Sequence, residues 1–122
     1  MRLFLLLLCA LSLTAQEMRF YVMGMLYRGP QWTAETTDET RKLQEGHMAN
    51  INKLAGEKKL ILAGPMAGTG DLRGIFVFDT DDLKQAQAWC DQDPAVKAGR
   101  LRVELHRWYS AKGIGVLPPA KR

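Results

Sequence analysis

The sequence predicts an α+β fold, because strand-like and helix-like segments follow one another in the order βαββαβ. A second observation is that the strand-like segments are apolar on both faces, whereas two helices can cover only one face of a sheet. This order is the ferredoxin-like arrangement, a four-stranded antiparallel sheet with both helices on one face. The simplest cover for the other face is a second copy of the sheet, which predicts a homodimer built as a dimeric α+β barrel.

Four strands are predicted from runs of apolar, aromatic and β-branched residues bounded by turn residues. The runs are residues 18–28 (MRFYVMGMLYR), 59–66 (KLILAGPM), 74–80 (GIFVFDT) and 101–109 (LRVELHRWY). In the last run apolar and polar residues alternate, so one side is expected to face the core and the other to carry polar groups and Trp108. The glycine-rich segment 67–71 (AGTGD) matches no phosphate-binding loop and is predicted to be a turn.

Two helices are predicted between these strands. Thr36 and Glu39 have the spacing of a capping box, which opens a first helix over residues 36–55. A threonine and two aspartates open the second helix, predicted over residues 80–90, because they supply acceptors and negative charge at its start. Residues 91–99 are predicted to form a loop.

The first fifteen residues (MRLFLLLLCALSLTA) have the layout of a secretory signal peptide: one early cation, a short apolar run and small residues near Ala15. We expect cleavage after Ala15, a domain over residues 16–113 and a C-terminal tail over residues 114–122. The mature protein is then expected to be secreted or periplasmic, with no stable membrane association. An uncleaved N-terminal anchor is the alternative.

Charge and cysteine content exclude two classes of protein. Without residues 1–15 the charge count loses only Arg2, which leaves 16 Lys and Arg against 13 Asp and Glu, a net charge of +3. These charges are spread out, with no basic face carrying aromatic residues, so no nucleic-acid partner is expected. Only Cys90 remains, so disulfides do not hold the domain, and its apolar helical setting predicts a buried thiol rather than a nucleophile.

His47 is the residue that most needs explanation. Read as a helix, residues 44–54 (QEGHMANINKL) place His47 on the apolar face, in line with Leu43 and Ile51. Two interpretations are open: a core histidine bonded to a backbone carbonyl, or one half of a site. Gly46 costs the helix up to about 1 kcal/mol relative to alanine, which is tolerated more easily if another segment packs closely there.

Asp93 is the candidate partner. It precedes Pro94, so its backbone is pushed toward an extended conformation. It also follows the second helix, whose neighbour in a two-helix layer is the first helix, and its side chain can therefore face His47. The alternative is an ordinary Asp-Pro turn after a helix.

These residues bring out a resemblance to a known family. Residues 18–113 resemble the YCII-related (YciI-like) family, through GHMANINKL, GEKKLILAGPM, LRGIFVF and above all AWCDQDPAVKAGRL. The resemblance implies a dimeric α+β barrel related to muconolactone isomerases and to some dechlorinating enzymes. It also implies an active-site His–Asp pair at His47 and Asp93.

The sequence departs from the family pattern at one informative position. Many relatives have an arginine three residues before the histidine, where this chain has Gln44. Arg41, further back on the same helix, can substitute for it only in part. A signal peptide is also unusual among the family's small cytosolic members, and most members have no assigned reaction. The resemblance therefore implies a fold and a site more firmly than a substrate.

A His–Asp pair suits acid/base chemistry. Asp93 would fix the tautomer of His47, leaving the other ring nitrogen as general base or acid near neutral pH. This fits isomerisation, lactone chemistry or elimination on a small carbonyl-bearing or cyclic organic molecule. No motif for a nucleophile or a metal site is found, so no metal and no cofactor are expected. Substrate contacts are expected from a small set of further residues: Tyr21 or Met23, Gly64, Pro65, Trp108 and Arg41.

Two other functions stay open on the sequence. One is a non-catalytic ligand-binding or structural dimer with His47 sealed behind Leu43 and Trp89. The other is heme chemistry, which needs an axial ligand in an open apolar pocket. An open cleft at His47, with Asp93 within hydrogen-bond distance, would favour the acid/base enzyme over the non-catalytic dimer.

Overall fold

A computed structural model describes residues 16–114 of the 122-residue chain. The elements in chain order are β1 (Met18–Arg28), α1 (Asp38–Gly56), β2 (Leu60–Pro65), β3 (Leu72–Phe78), α2 (Leu83–Asp91), α3 (Pro94–Lys97) and β4 (Leu101–Ala111). The signal peptide predicted over residues 1–15 lies outside the described residues, as does all but the first residue of the predicted tail. No helix within the described range is long and apolar enough to cross a membrane.

The four strands form one antiparallel sheet in the order β2-β3-β1-β4. β1 therefore lies inside the sheet and pairs with β4 along its whole length, from Met18 opposite Ala111 to Arg28 opposite Leu101. This order is what two βαβ-type crossovers produce when the helices share one face. The predicted ferredoxin-like α+β fold is confirmed.

One face of the sheet packs against the helices and forms the core. Its strand residues alternate along the chain, as a half-covered sheet requires, and they meet apolar residues of all three helices. The core residues are Val22, Leu26, Leu54, Leu60, Phe76, Phe78, Ala86, Trp89, Cys90, Ala95 and Leu101. Tyr21 and Val77 are also buried but do not belong to this core, because they belong to the other face of the sheet.

Two local predictions differ from the structure. The capping box at the start of α1 uses Thr37 and Thr40 instead of Thr36 and Glu39. The Thr40 hydroxyl accepts from the Thr37 backbone N–H at 2.9 Å, so a second threonine takes the place of the usual glutamate. The predicted loop after α2 contains the four-residue helix α3, because Asp93 caps it and Pro94 is preorganised for a first helical turn.

Gly46 allows α1 and α3 to approach closely. A β-carbon built on Gly46 would lie 2.8 Å from Cγ and 3.1 Å from Cβ of Pro94, closer than such atoms pack. The missing side chain therefore makes room for the proline. Since His47 follows Gly46 and Asp93 precedes Pro94, this contact brings the two candidate site residues together.

We predict that Gly46→Ala lowers the free energy of unfolding. Overpacking costs about 1–3 kcal/mol, whereas alanine improves the helix by up to about 1 kcal/mol, so we expect a net loss of up to about 2 kcal/mol in urea denaturation. Gly56→Ala is the matched control, because no atom lies within 4 Å of the β-carbon it would add. A Gly46→Ala protein as stable as the Gly56→Ala protein would contradict the close approach.

Candidate functional site

His47 and Asp93 form a buried pair between α1 and α3. Nδ1 of His47 lies 2.6 Å from Oδ2 of Asp93. The Asp93 side chain is fully buried, and His47 retains an exposed fraction of 9%. Because an ionised carboxylate can only accept hydrogen bonds, Nδ1–H of His47 is the donor. Asp93 thus selects the tautomer in which Nε2 is the free nitrogen.

The backbone of α3 fixes the Asp93 carboxylate. Its second oxygen, Oδ1, accepts a hydrogen bond of 2.9 Å from the backbone N–H of Ala95 and so caps the helix. The Asp93 backbone is extended, with φ −70° and ψ 123°, as expected for a residue before proline. The hydrogen bond from Ala95 to Oδ1 fixes the orientation of the Asp93 carboxylate, and Oδ2 in turn orients the His47 ring. Rotation of the carboxylate would therefore break both hydrogen bonds.

The paired histidine lines a cavity of about 330 Å³. Its ring also stacks on Phe76, with 6.0 Å between ring centroids and an angle of 27° between the planes. Among the described residues Nε2 of His47 has no hydrogen-bond partner. A largely apolar cavity of a few hundred Å³ with a few polar groups is typical of small-molecule sites. His47 is therefore paired to Asp93 and open to a cavity, the combination that the acid/base interpretation requires.

The structure brings only part of the predicted substrate-binding set to this cavity. Gly64 and Pro65, at the end of β2, line it. Tyr21 and Trp108 face each other across β1 and β4 on the sheet face opposite the helices. The expectation that they surround His47 is corrected by the strand alternation: Val22 faces the helices, so Tyr21 cannot. Met23 shares the face of Tyr21 for the same reason.

Arg41 also lies away from the cavity. Its side chain is exposed and pairs with the Asp38 carboxylate three residues back on α1. Gln44, one helical turn before His47, lines the cavity instead. Arg41 therefore does not replace the arginine that many relatives carry at the position of Gln44.

Two further groups with potential chemistry lie outside the site. Burial, followed by the charges of Asp91 and Asp93, raises the pKa of the Cys90 thiol to about 12, so the thiol is neutral near pH 7 and a poor nucleophile. His106 is exposed on β4 and lies 3.1 Å from a Glu104 carboxylate oxygen. Across residues 16–114 no three His, Cys, Asp or Glu side chains are grouped to hold a metal ion.

Comparison with known proteins identifies the family. The model of the YCII-related domain matches residues 20–109, which is most of the chain. The protein belongs to the YCII-related family. Protein YciI of Escherichia coli O6:H1 is 30% identical over 74 residues, which cover 54% of this chain and 76% of that protein. Protein YciI of Shigella flexneri matches to the same extent.

A solved structure supports the fold independently. The 5-chloro-2-hydroxyhydroquinone dehydrochlorinase of Burkholderia phenoliruptrix AC1100, in complex with 2,5-dihydroxybenzoquinone, aligns with a TM-score of 0.50 and 22% sequence identity. The alignment covers 70% of this chain and 92% of that enzyme. The YCII-related chain thus has the same fold as this neighbour.

Trp32 lies at the same cavity and was not predicted as a site residue. It follows β1 in a loop that is tied to the turn before β4: the backbone N–H of Gly29 donates to Arg100, and that of Gln31 to Gly99, both at 2.8 Å. A β-carbon on Gly29 would lie 2.2 Å from the Gly99 carbonyl oxygen, so only glycine permits this approach. The loop therefore holds the indole at the cavity wall.

Three arginines surround the Trp32 indole, and we refer to Arg28, Arg73 and Arg100 as the arginine cluster. Their guanidinium carbons lie 5.2, 5.8 and 4.4 Å from the ring centroid. A cation over an aromatic face gains about 0.5–1 kcal/mol at a partly exposed position. Any two of these cations are within about 11 Å of each other, where they repel by at least about 1.5 kcal/mol at an effective dielectric constant of about 20. Stacking on the indole thus offsets only part of their mutual repulsion.

The cluster was not predictable from local sequence. Its members stand in β1, in β3 and just before β4, and only the sheet topology brings them together. The sequence shows only that Trp32, in a predicted loop, lies close in the chain to Arg28 at the end of a predicted strand. This predicts a contact between these two residues but gives no information about Arg73 and Arg100.

We predict that Asp93→Asn reverses the tautomer of His47. The asparagine oxygen can still accept from Ala95, which turns the amide N–H₂ toward His47, so Nδ1 becomes an acceptor and Nε2 carries the proton. Ring ¹⁵N chemical shifts in mildly alkaline buffer distinguish the two tautomers, and His106 is the internal control. An unchanged His47 spectrum in the variant would contradict the pairing.

Proposed function

We propose that this YCII-related protein is an acid/base enzyme, isomerase-like or lyase-like, acting on a small carbonyl-bearing or cyclic organic molecule. The observation that carries the proposal is the 2.6 Å His47–Asp93 pair at the wall of a cavity of about 330 Å³. A histidine that served only the core would gain from the same hydrogen bond but would not line a cavity.

The proposed step is proton abstraction next to a carbonyl. Nε2 of His47 takes a proton from the carbon, and the C–H electron pair moves into an enolate. The ring becomes an imidazolium whose Nδ1–H still donates to Asp93, and the negative carboxylate stabilises it. Returning the proton to another carbon gives an isomer, and expulsion of a leaving group from the adjacent carbon gives an elimination product. The structural neighbour is named as a dehydrochlorinase, and elimination is therefore part of the proposal.

We test this step by hydrogen–deuterium exchange. In D₂O the wild-type protein is expected to speed deuterium incorporation next to the carbonyl of at least one of two probes, cyclohexanone and γ-butyrolactone, measured by mass spectrometry. General acid/base catalysis contributes about 10²–10⁴-fold, so His47→Gln is expected to reduce the protein-dependent rate at least about 100-fold. His106→Gln is the matched control and leaves the rate unchanged.

The alternative is a dimer that binds a ligand without turnover. The small exposed fraction of His47, 9%, favours it to a limited degree. Exchange that is absent for every probe, or equal in wild type and His47→Gln, would favour this alternative and remove the acid/base role.

The proposal includes a homodimer. The sheet face away from the helices carries buried and partly buried apolar residues of β1, β2 and β3 at its centre, and polar residues of β4 at one edge. A covered apolar centre with a polar rim is the usual anatomy of an interface. The apolar residues of this face are Met23, Met25, Tyr27, Leu62, Ile75 and Val77.

We predict that light scattering after size-exclusion chromatography gives twice the mass of one chain. Met25→Glu, which places a charge at the centre of the face, is expected to give a monomer, because burying an unpaired carboxylate costs more than the interface gains there. Glu45→Lys on the exposed side of α1 is the control and is expected to leave the dimer intact. A monomeric wild type would overturn the dimer.

Export is proposed from the signal-like first fifteen residues. The intact mass of the protein recovered from cells tests it, since cleavage after Ala15 leaves a chain that begins at Gln16.

A further inference from the structure

We propose that the arginine cluster at Trp32 binds a carboxylate of the substrate, so that the molecule acted on is a cyclic carbonyl compound carrying a carboxylate. This inference rests on the proposed function, because it assigns a substrate class to the same cavity. Arg73 is the member of the cluster that lines the cavity together with His47, and Arg28 and Arg100 add positive charge next to the Trp32 indole.

The hydrogen bonds of Arg73 leave one side of its guanidinium free. Nη1 donates to the carbonyl oxygens of Gly68 and Gly70, each at 3.1 Å. A guanidinium has five N–H donors, and among the described residues Nε and Nη2 of Arg73 have no acceptor. Nε and Nη2 form a planar fork whose geometry matches the two oxygens of a carboxylate. The carbonyl oxygens of Gly68 and Gly70 thus hold Nη1 of Arg73 in place, and Nε and Nη2 can donate to a bound carboxylate.

None of the three arginines of the cluster forms a salt bridge with a carboxylate among residues 16–114. Arg28 donates to the carbonyl oxygen of Thr69, and Arg100 to that of Thr33, both at 2.9 Å. These acceptors are neutral, and Nε of Arg28 is buried with no partner among residues 16–114. By contrast, three of the four other arginines in this range pair with a carboxylate: Arg19, Arg41 and Arg102.

Stacking on Trp32 explains where the three cations lie, but it does not explain why none of them pairs with a carboxylate in the part of the chain that the structure describes. Positively charged clefts with apolar walls focus the field on an incoming anion. The apolar residues that line the space, among them Leu26, Ile51 and Phe76, suit the ring of the substrate. The carboxylate would then lie at Arg73, and the reacting carbon would lie at His47.

The test compares two probes of nearly equal shape, 4-oxocyclohexanecarboxylate and 4-oxocyclohexanecarboxamide. Binding is followed through the NMR signal of the Trp32 indole N–H, which Trp32→Phe assigns. Wild type is expected to bind the carboxylate at least about tenfold more tightly than the carboxamide, as a charge-assisted bidentate contact requires. Arg73→Gln is expected to remove the preference, and Arg73→Lys to keep only part of it, because lysine has the charge without the fork.

Arg102→Gln is the matched control, since Arg102 stacks on Tyr27 and pairs with Asp71 outside the cavity. It is expected to keep the full preference. Equal binding of both probes to wild type, no binding of either, or a preference that survives Arg73→Gln would each overturn the proposal.

The readout does not depend on turnover. The preference for the carboxylate is expected to persist in His47→Gln, so a failure of the acid/base step leaves the anion site standing. Conversely, deuterium exchange without a carboxylate preference would remove the anion site and leave the acid/base step.

Discussion

The close contact between α1 and α3 is the constraint on which the site depends. Pro94 occupies the space that a side chain at Gly46 would need, and this places Asp93 next to His47. The pair is thus set by backbone packing rather than by two flexible side chains meeting. Because Asp93 also caps α3 through its second oxygen, the same carboxylate stabilises the short helix and orients the histidine. Loss of any one of these contacts weakens the others.

The same geometry explains why the site could be partly predicted from the sequence. Gly46, His47, Asp93 and Pro94 each carry a local signal: a glycine within a helix, a histidine on an apolar face, and an aspartate before proline. The sheet, its strand order and the cavity position of Gly64 and Pro65 also follow from local patterns combined with topology. A family resemblance was still needed to favour the pair over a core histidine and an ordinary turn.

Where the sequence-based predictions fail, the cause is tertiary structure: the position of a side chain depends on contacts between segments that are far apart in the sequence. The sequence predicts Tyr21 and Trp108 near His47, but alternation along β1 and β4 puts them on the opposite sheet face. Strand alternation tells which residues share a face, but not which face the helices cover when both are apolar. Arg41 is predicted as a partial substitute for the arginine that many relatives carry at the position of Gln44, but its side chain is exposed and pairs with Asp38 instead. The arginine cluster forms only because the sheet brings β1, β3 and the start of β4 together, and no short stretch of the sequence contains residues from all three.

His47 and Arg73 both line the cavity, and their charges bear on how the proposed reaction would proceed. Removing a proton from carbon leaves negative charge on the substrate and positive charge on His47, which Asp93 already compensates through Nδ1. A carboxylate held at Arg73 would make the substrate an anion before reaction, so the enolate would carry a second negative charge. The positive charge of the arginine cluster, with which no carboxylate of residues 16–114 pairs, would lower the cost of that second charge. A carboxylate-bearing substrate would therefore use the cluster both for binding and for stabilising the enolate, whereas a neutral substrate would bring negative charge to the cluster only once the enolate forms.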